Sequence, residues 1–439
     1  RYAIPVAERF TLDNGLTVLL ITDHELPLVR ITAYIGVGSV YEPDRKCGLA
    51  ALTGTMIRRG GFAGKTPAAL DAELEFMASS VESGIGDDAG SLSMTTLRKN
   101  FGATLNLFAG VMQKPAFDRR RFAQAVNETL EALRRRNDDP REVADRELRR
   151  AIYRGHPLGR VPTPATIRAI TRDDLRGFHR RYYRPNNVLL AVSGDIDRAE
   201  LEARLKAVFG RWKAAPIAFP RVPGPDMTLR PEMLHVNREG AQSVIRMGHI
   251  GITKDNPDLY AIRVMDFILG GGGLNSRLMS QIRADEGLAY NVAGYFEVGR
   301  RFPGPFWAET ETKTASTGRT IGLMLDIMDR IRKAPVSEQE LSLAREAMIN
   351  AFVFGFADAD RVVNQRARIA YYGYPDRYLE DYCDNIAKVT QADVLRVARR
   401  YLHPDKLIKV VVGDGAGFDR PLSAFGEVRE IRPEAWTGR

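Results

Sequence analysis

One stretch of this chain occurs twice, and that fact constrains the fold more than any other. Residues 170–195 read ITRDDLRGFHRRYYRPNNVLLAVSGD, and residues 389–414 read VTQADVLRVARRYLHPDKLIKVVVGD. The offset is 219 throughout, without a gap. Thr171, Asp174, Arg180, Arg181, Tyr182, Pro185, Val192, Gly194 and Asp195 recur as Thr390, Asp393, Arg399, Arg400, Tyr401, Pro404, Val411, Gly413 and Asp414. Each copy encodes the same three pieces. A threonine N-cap precedes an amphipathic helix. A proline ends the helix and starts a turn. An apolar, β-branched run (Val188 to Val192, Leu407 to Val412) then closes on Gly-Asp. A repeat present in only two copies implies two similar halves, not a solenoid.

Between the copies lie Pro216, Pro220, Pro223, Pro225 and Pro231. Such a stretch is stiff and poor in regular structure, so 214–231 reads as a linker between domains at 1–213 and 232–439. A length of 439 residues is in any case too much for one ordinary core. The first half opens with a hairpin: Arg9 to Leu12, a turn at Asp13-Asn14-Gly15, then Leu16 to Ile21. A further strand is expected from Val29 to Val37, and Phe122, Val126, Leu130 and Leu133 form one helical stripe. Strands and helices mixed without strict alternation indicate an α+β class, with mostly antiparallel mixed sheets packed against helices.

Composition removes several classes of function. No apolar run approaches 18 residues, so no membrane span is expected. The net charge of +9 comes from dispersed Lys and Arg, with short clusters at Arg119–Arg121 and Arg134–Arg136. These read as solvated basic helix faces, and no nucleic-acid-binding module accompanies them. Cys47 and Cys383 have no metal-ligand spacing and read as inert thiols. The six histidines show no i,i+4 pair. Gly60–Thr66 resembles a phosphate loop, but Arg59 stands where its first glycine must be. The run Gly270, Gly271, Gly272 and Gly273 precedes Leu274, Leu278 and Ile282 at helical spacing. Its N–H groups either hold an anion or a substrate carbonyl at a helix start, or the glycines allow close strand packing.

Several further segments, taken in order, carry a family resemblance. Gly48 to Met56 has the frame of the inverted zinc motif His-x-x-Glu-His, preceded by Gly38-Ser39 and Glu42. Lys65-Thr66, Asn137-Asp138-Asp139-Pro140, Pro185-Asn186-Asn187 and Val192 to Asp195 follow in order, and Arg283 and Tyr290 have the spacing Arg-x6-Tyr. Together these resemble the pitrilysin-type metallopeptidases, in particular the zinc-less subunit of heterodimers similar to mitochondrial processing peptidase. The motif is degenerate here: Ala51, Gly54 and Thr55 stand at the two histidines and the glutamate. The third-ligand position falls on Ala132, with Glu131 beside it.

The resemblance implies no metal or cofactor in this chain and zinc in a homologous partner subunit. It implies an unfolded peptide substrate added as a strand to a sheet edge. It also assigns Arg283 and Tyr290 to that substrate, the phenol donating to the developing oxyanion and the guanidinium fixing neighbouring carbonyls. Bacterial chains of this kind are often exported, and a start at Arg1 rather than Met is compatible with that, so the periplasm is the expected compartment. The rival expectation is a proteolytically inactive scaffold subunit of a larger complex.

Overall fold

The computed structural model describes residues 4–433. It contains two six-stranded sheets. The first has the order β1 (Glu8–Thr11), β2 (Thr17–Thr22), β6 (Val188–Gly194), β3 (Leu28–Ile35), β5 (Gly90–Leu97), β4 (Ser80–Ile85). The second has the order β12 (Val428–Glu430), β7 (Glu232–Asn237), β11 (Ile408–Gly413), β8 (Gln242–Ile250), β10 (Pro305–Lys313), β9 (Ala289–Phe296). Both are mixed. β2 runs parallel to β6 and β7 parallel to β11, whereas β3–β5–β4 and β8–β10–β9 are antiparallel.

The repeat places β6 and β11 at the same position in the two sheets. The helices ahead of them, Arg172–Tyr182 and Gln391–Tyr401, both start with a reciprocal capping box, Thr171 with Asp174 and Thr390 with Asp393. Each such cap contributes on the order of 1 kcal/mol. All six residues of β11 are buried, which is why its run is nearly all apolar. β3 alternates strictly, with Val29, Ile31, Ala33 and Ile35 facing the core.

The compact units are not the sequence halves. Among the described residues one comprises 4–133, 160–222 and 353–379; the other comprises 134–159, 223–352 and 380–433. The boundaries expected at 213 and 232 are therefore incomplete, because each half gives a helix to the other unit. The reason is the back face of each sheet, which needs an apolar cover. Helix Ala359–Tyr372 lays Val363 and Ala367 on Leu19 and Ala191 of the first sheet. Tyr34 donates to Asn364 (3.0 Å) and Tyr371 to the carbonyl of Ile35 (3.0 Å). Helix Pro140–Ile152 lays Val143, Ala144, Leu148 and Ile152 on Leu234, Val244, Val410 and Val412 of the second. Arg246 of β8 grips Asp145 of that helix at 2.5 Å. Each large apolar side chain so buried contributes about 1.5–3 kcal/mol.

Candidate functional site

The degenerate motif lies on helix Leu49–Arg59. Gly48, at φ +104°, turns the chain into the helix. The buried carboxylate of Glu42 accepts from the N–H groups of Gly48 (2.9 Å) and Ala50 (2.8 Å), satisfying orphan donors of the first turn. Ala51 is exposed, Thr55 half-buried and Gly54 buried. Gly54 abuts the backbone of edge strand β4: a Cβ there would lie 2.5 Å from the nitrogen of Ile85 and 2.8 Å from the carbonyl carbon of Gly84. Ser83 of β4 donates to the Gly54 carbonyl at 2.5 Å, and Arg58 Nε to the Val81 carbonyl at 2.8 Å. Where the motif has its glutamate, this chain has helix-to-strand contact. Glu131 and Ala132 are both exposed on helix Arg119–Arg135.

Arg283 and Tyr290 are brought together in the second unit. The guanidinium carbon of Arg283 lies 4.7 Å from the centre of the Tyr290 ring, a cation–π contact. Tyr290 is 83% exposed. Among the described residues neither side chain has an ion-pair or hydrogen-bond partner, so both the phenol hydroxyl and the guanidinium N–H groups are available. Two backbone irregularities produce this presentation. Arg283 sits in a π-helical stretch, Ser280–Asp285. Tyr290 sits in a β-bulge: Thr310 pairs with Val292 and Thr312 with Ala289, so Tyr290 and Asn291 share the place opposite Glu311. Thr310 and Thr312 hold the bulge by donating to the carbonyls of Asn291 and Leu288, both at 2.7 Å. Such bulges re-aim side chains, and here two consecutive residues face solvent where strict alternation would bury one.

The glycine run closes the helix before it. Helix Leu259–Asp266 continues as a π-helical stretch, Phe267–Gly271, and a 3-10 turn, Gly273–Asn275, follows. Gly270 abuts the outer edge of β9, as Gly54 abuts β4: a Cβ on it would lie 2.3 Å from the nitrogen of Gly294. The side chain of Asp266 is buried, its Oδ1 has no hydrogen-bond partner among the described residues, and burial holds its carboxyl well above the usual range. The outer edge of β9 is thus covered at Gly294, while Tyr290 and Asn291 are exposed. Gly270 serves close packing, whereas Gly271 and Gly273 are exposed. Leu274 is 68% exposed while Leu278 and Ile282 are buried, so the apolar stripe begins only after Ser276 caps the next turn.

Residues 17–163 match the family described as Insulinase (Peptidase family M16), and residues 169–348 match that described as Peptidase M16 inactive domain. The chain belongs to peptidase family M16. It is similar to an uncharacterized zinc protease of Streptomyces coelicolor, 26% identical over 62% of this chain and spanning 61% of that protein. It is also similar to an uncharacterized zinc protease of Mycobacterium leprae, 24% identical over 90% of this chain and 89% of that one. A crystal structure of a peptidase M16 inactive domain from Pseudomonas fluorescens superposes with a TM-score of 0.85 at 27% identity, covering 93% of this chain and 98% of that one.

The zinc that M16 relatives carry in their names does not fit the motif positions of this chain. A methyl group, a hydrogen and a hydroxyl replace two imidazoles and a carboxylate, and the backbone of Ile85 fills the space a side chain at position 54 would need. Among the described residues no group of three or more His, Cys, Asp or Glu side chains is placed to hold a metal ion. No described helix is long and apolar enough to cross a membrane. His179 and His249 are buried and hydrogen-bonded to carbonyls of Met112 and Ile250 (both 2.8 Å), and burial pushes each down to about 4. Burial also pushes the Cys47 thiol up to about 12, so it is no nucleophile. The bulge that aims Tyr290 and the packing role of Gly54 were missed by sequence reasoning. The only local sign of the bulge is the consecutive polar-edged pair Tyr290-Asn291.

Proposed function

We propose that this M16 chain is the non-catalytic subunit of a heterodimeric zinc endopeptidase, lending Arg283 and Tyr290 to a homologous partner that bears the metal. The observation that carries this reading is the contrast between its two units. In one, the motif's glutamate position is given over to packing against β4. In the other, a half-buried arginine and an exposed tyrosine are in contact, and among the described residues neither has an ion-pair or hydrogen-bond partner.

The chemistry follows from those groups. Peptide hydrolysis builds negative charge on the scissile carbonyl oxygen. The Tyr290 hydroxyl donates to that oxygen, and the Arg283 fork fixes adjacent carbonyls of the extended peptide. The ring–guanidinium stacking keeps the fork beside the hydroxyl before substrate arrives, so less ordering is needed during reaction. The open stretch of β9 around Tyr290 is the segment to which an unfolded peptide adds, because further along the edge Gly270 takes its place.

The test is co-purification of the chain with its zinc-bearing homologue and assay of the pair on an unfolded peptide. Tyr290→Phe lowers turnover about 100- to 1000-fold and leaves zinc content unchanged. Unaltered turnover refutes the reading and favours an inactive scaffold subunit.

A further inference from the structure

We infer that Glu340 is a positioning residue, whose bridge to Arg277 holds the segment that presents Arg283 to Tyr290. The inference rests on the reading of those two residues as the functional pair. The segment is short and irregular. One α-helical turn, Arg277–Met279, runs directly into the π-helical stretch Ser280–Asp285. Two turns of mixed geometry cannot fix a side chain by their own hydrogen bonds, and π-helical turns are the less favourable kind. Placement must come from outside the segment.

It comes from polar ties at residues 277, 281 and 286. Arg277 Nε and Nη2 donate to Oε1 and Oε2 of Glu340 at 2.6 and 2.9 Å. Glu340 is itself fixed in the first turn of helix Glu338–Phe352. Its Oε2 accepts from the N–H of Ser337 (2.8 Å) and from Ser337 Oγ (3.0 Å), while Ser337 Oγ accepts from the N–H of Glu340 (3.2 Å). Arg330 donates to Gln281 and Arg319 pairs with Glu286, both from helix Thr317–Lys333. Of the three ties, the bridge to Glu340 is bidentate and the one with a mostly buried cation, Arg277 being 19% exposed. The planar fork fixes orientation as well as distance. Leu278 and Ile282 bury the inner face of the segment. Arg283 is its remaining cation, and among the described residues no carboxylate partner holds it, so its direction depends on how the segment is held.

The test uses two readouts. In the isolated chain, Tyr290 is labelled as 3-fluorotyrosine and followed by fluorine NMR. Arg283→Ala moves the resonance by removing the stacked cation. Glu340→Gln moves it in the same direction, Glu340→Asp moves it less, and in the Arg283→Ala background Glu340→Gln adds nothing. A resonance unmoved by Glu340→Gln, or a shift that adds fully to that of Arg283→Ala, overturns the inference. If Glu340→Gln fails to fold, Arg277→Lys, which keeps the charge and loses the fork, takes its place with the same expectations. In the co-purified peptidase, Glu340→Gln lowers kcat about 10- to 100-fold with KM changed less than about twofold, and has no further effect once Arg283 is Ala. An equal effect with and without Arg283 overturns it. If Arg283→Ala leaves turnover unchanged, the proposed function fails, and the fluorine experiment still decides the positioning.

Discussion

Replacing Gly54 by alanine tests the central structural claim, that the motif helix has been fitted against β4. Two effects oppose one another. Alanine in a helix interior is favoured over glycine by about 1 kcal/mol. Against that, the new methyl carbon would lie 2.5 Å from the Ile85 nitrogen and 2.8 Å from the Gly84 carbonyl carbon, both backbone atoms that cannot rotate away. Overpacking of this kind costs about 1–3 kcal/mol, and separating helix from strand also weakens the Ser83 hydrogen bond to the Gly54 carbonyl, worth about 1 kcal/mol. The expected net loss is about 2 kcal/mol. Gly177 supplies the control. It lies within helix Arg172–Tyr182 of the same unit, and a Cβ there meets nothing within 4 Å. Gly177→Ala is expected to stabilise by about 0.5–1 kcal/mol. Urea unfolding of the two variants beside the parent reads both values. If Gly54→Ala is neutral, or stabilises as Gly177→Ala does, the packing argument is wrong. The same argument expects that restoring the motif by Ala51→His, Gly54→Glu and Thr55→His yields a destabilised chain that takes up no stoichiometric zinc, measured by metal analysis after dialysis.

Two further expectations concern stability. His179 and His249 are held near 4 in the folded chain, below their ordinary value of 6.5, so the unfolded chain binds more protons between those limits. Stability is therefore full above pH 6.5 and falls as pH drops to about 4, by on the order of 3 kcal/mol per histidine; a urea midpoint unchanged between pH 6.5 and 4.5 contradicts this. Severing the chain in the linker gives an N-terminal fragment that lacks helix Ala359–Tyr372 and retains Pro140–Ile152 without its sheet. Each fragment alone is expected to show weak amide protection, and co-expression to restore it; a fragment 1–213 protected on its own refutes the exchange as a requirement.

Much of the fold was legible because its determinants are local. The Thr–Asp capping boxes, Pro185 and Pro404 as turn makers, and the apolar runs of β6 and β11 each act within a few residues, and the repeat doubled their weight. The helix exchange was not legible. Val363 and Ala367 form an apolar stripe in either case, and periodicity does not say which sheet it will cover. At the candidate site, the Arg-x6-Tyr spacing identified a pair that the structure joins at 4.7 Å. The bulge was hidden because it depends on Thr310 and Thr312, which lie about twenty residues further along the chain. Gly54 was read as a lost glutamate, and its contact with β4 requires knowing where another element passes. The tie from Glu340 to Arg277 spans 63 residues and leaves no local mark.

The exchanged helices also set a timetable for synthesis. The last strand of the first sheet, β6, ends at Gly194, but the helix that covers its back ends at Tyr372. At ordinary elongation rates the ribosome needs roughly 10–35 seconds to make the intervening chain. Throughout that interval Leu19, Ala191 and their neighbours face water on a nearly finished sheet. A nascent chain of this design is therefore a client for whatever shields apolar strands beside the ribosome, and slowing translation beyond the linker should raise its aggregation.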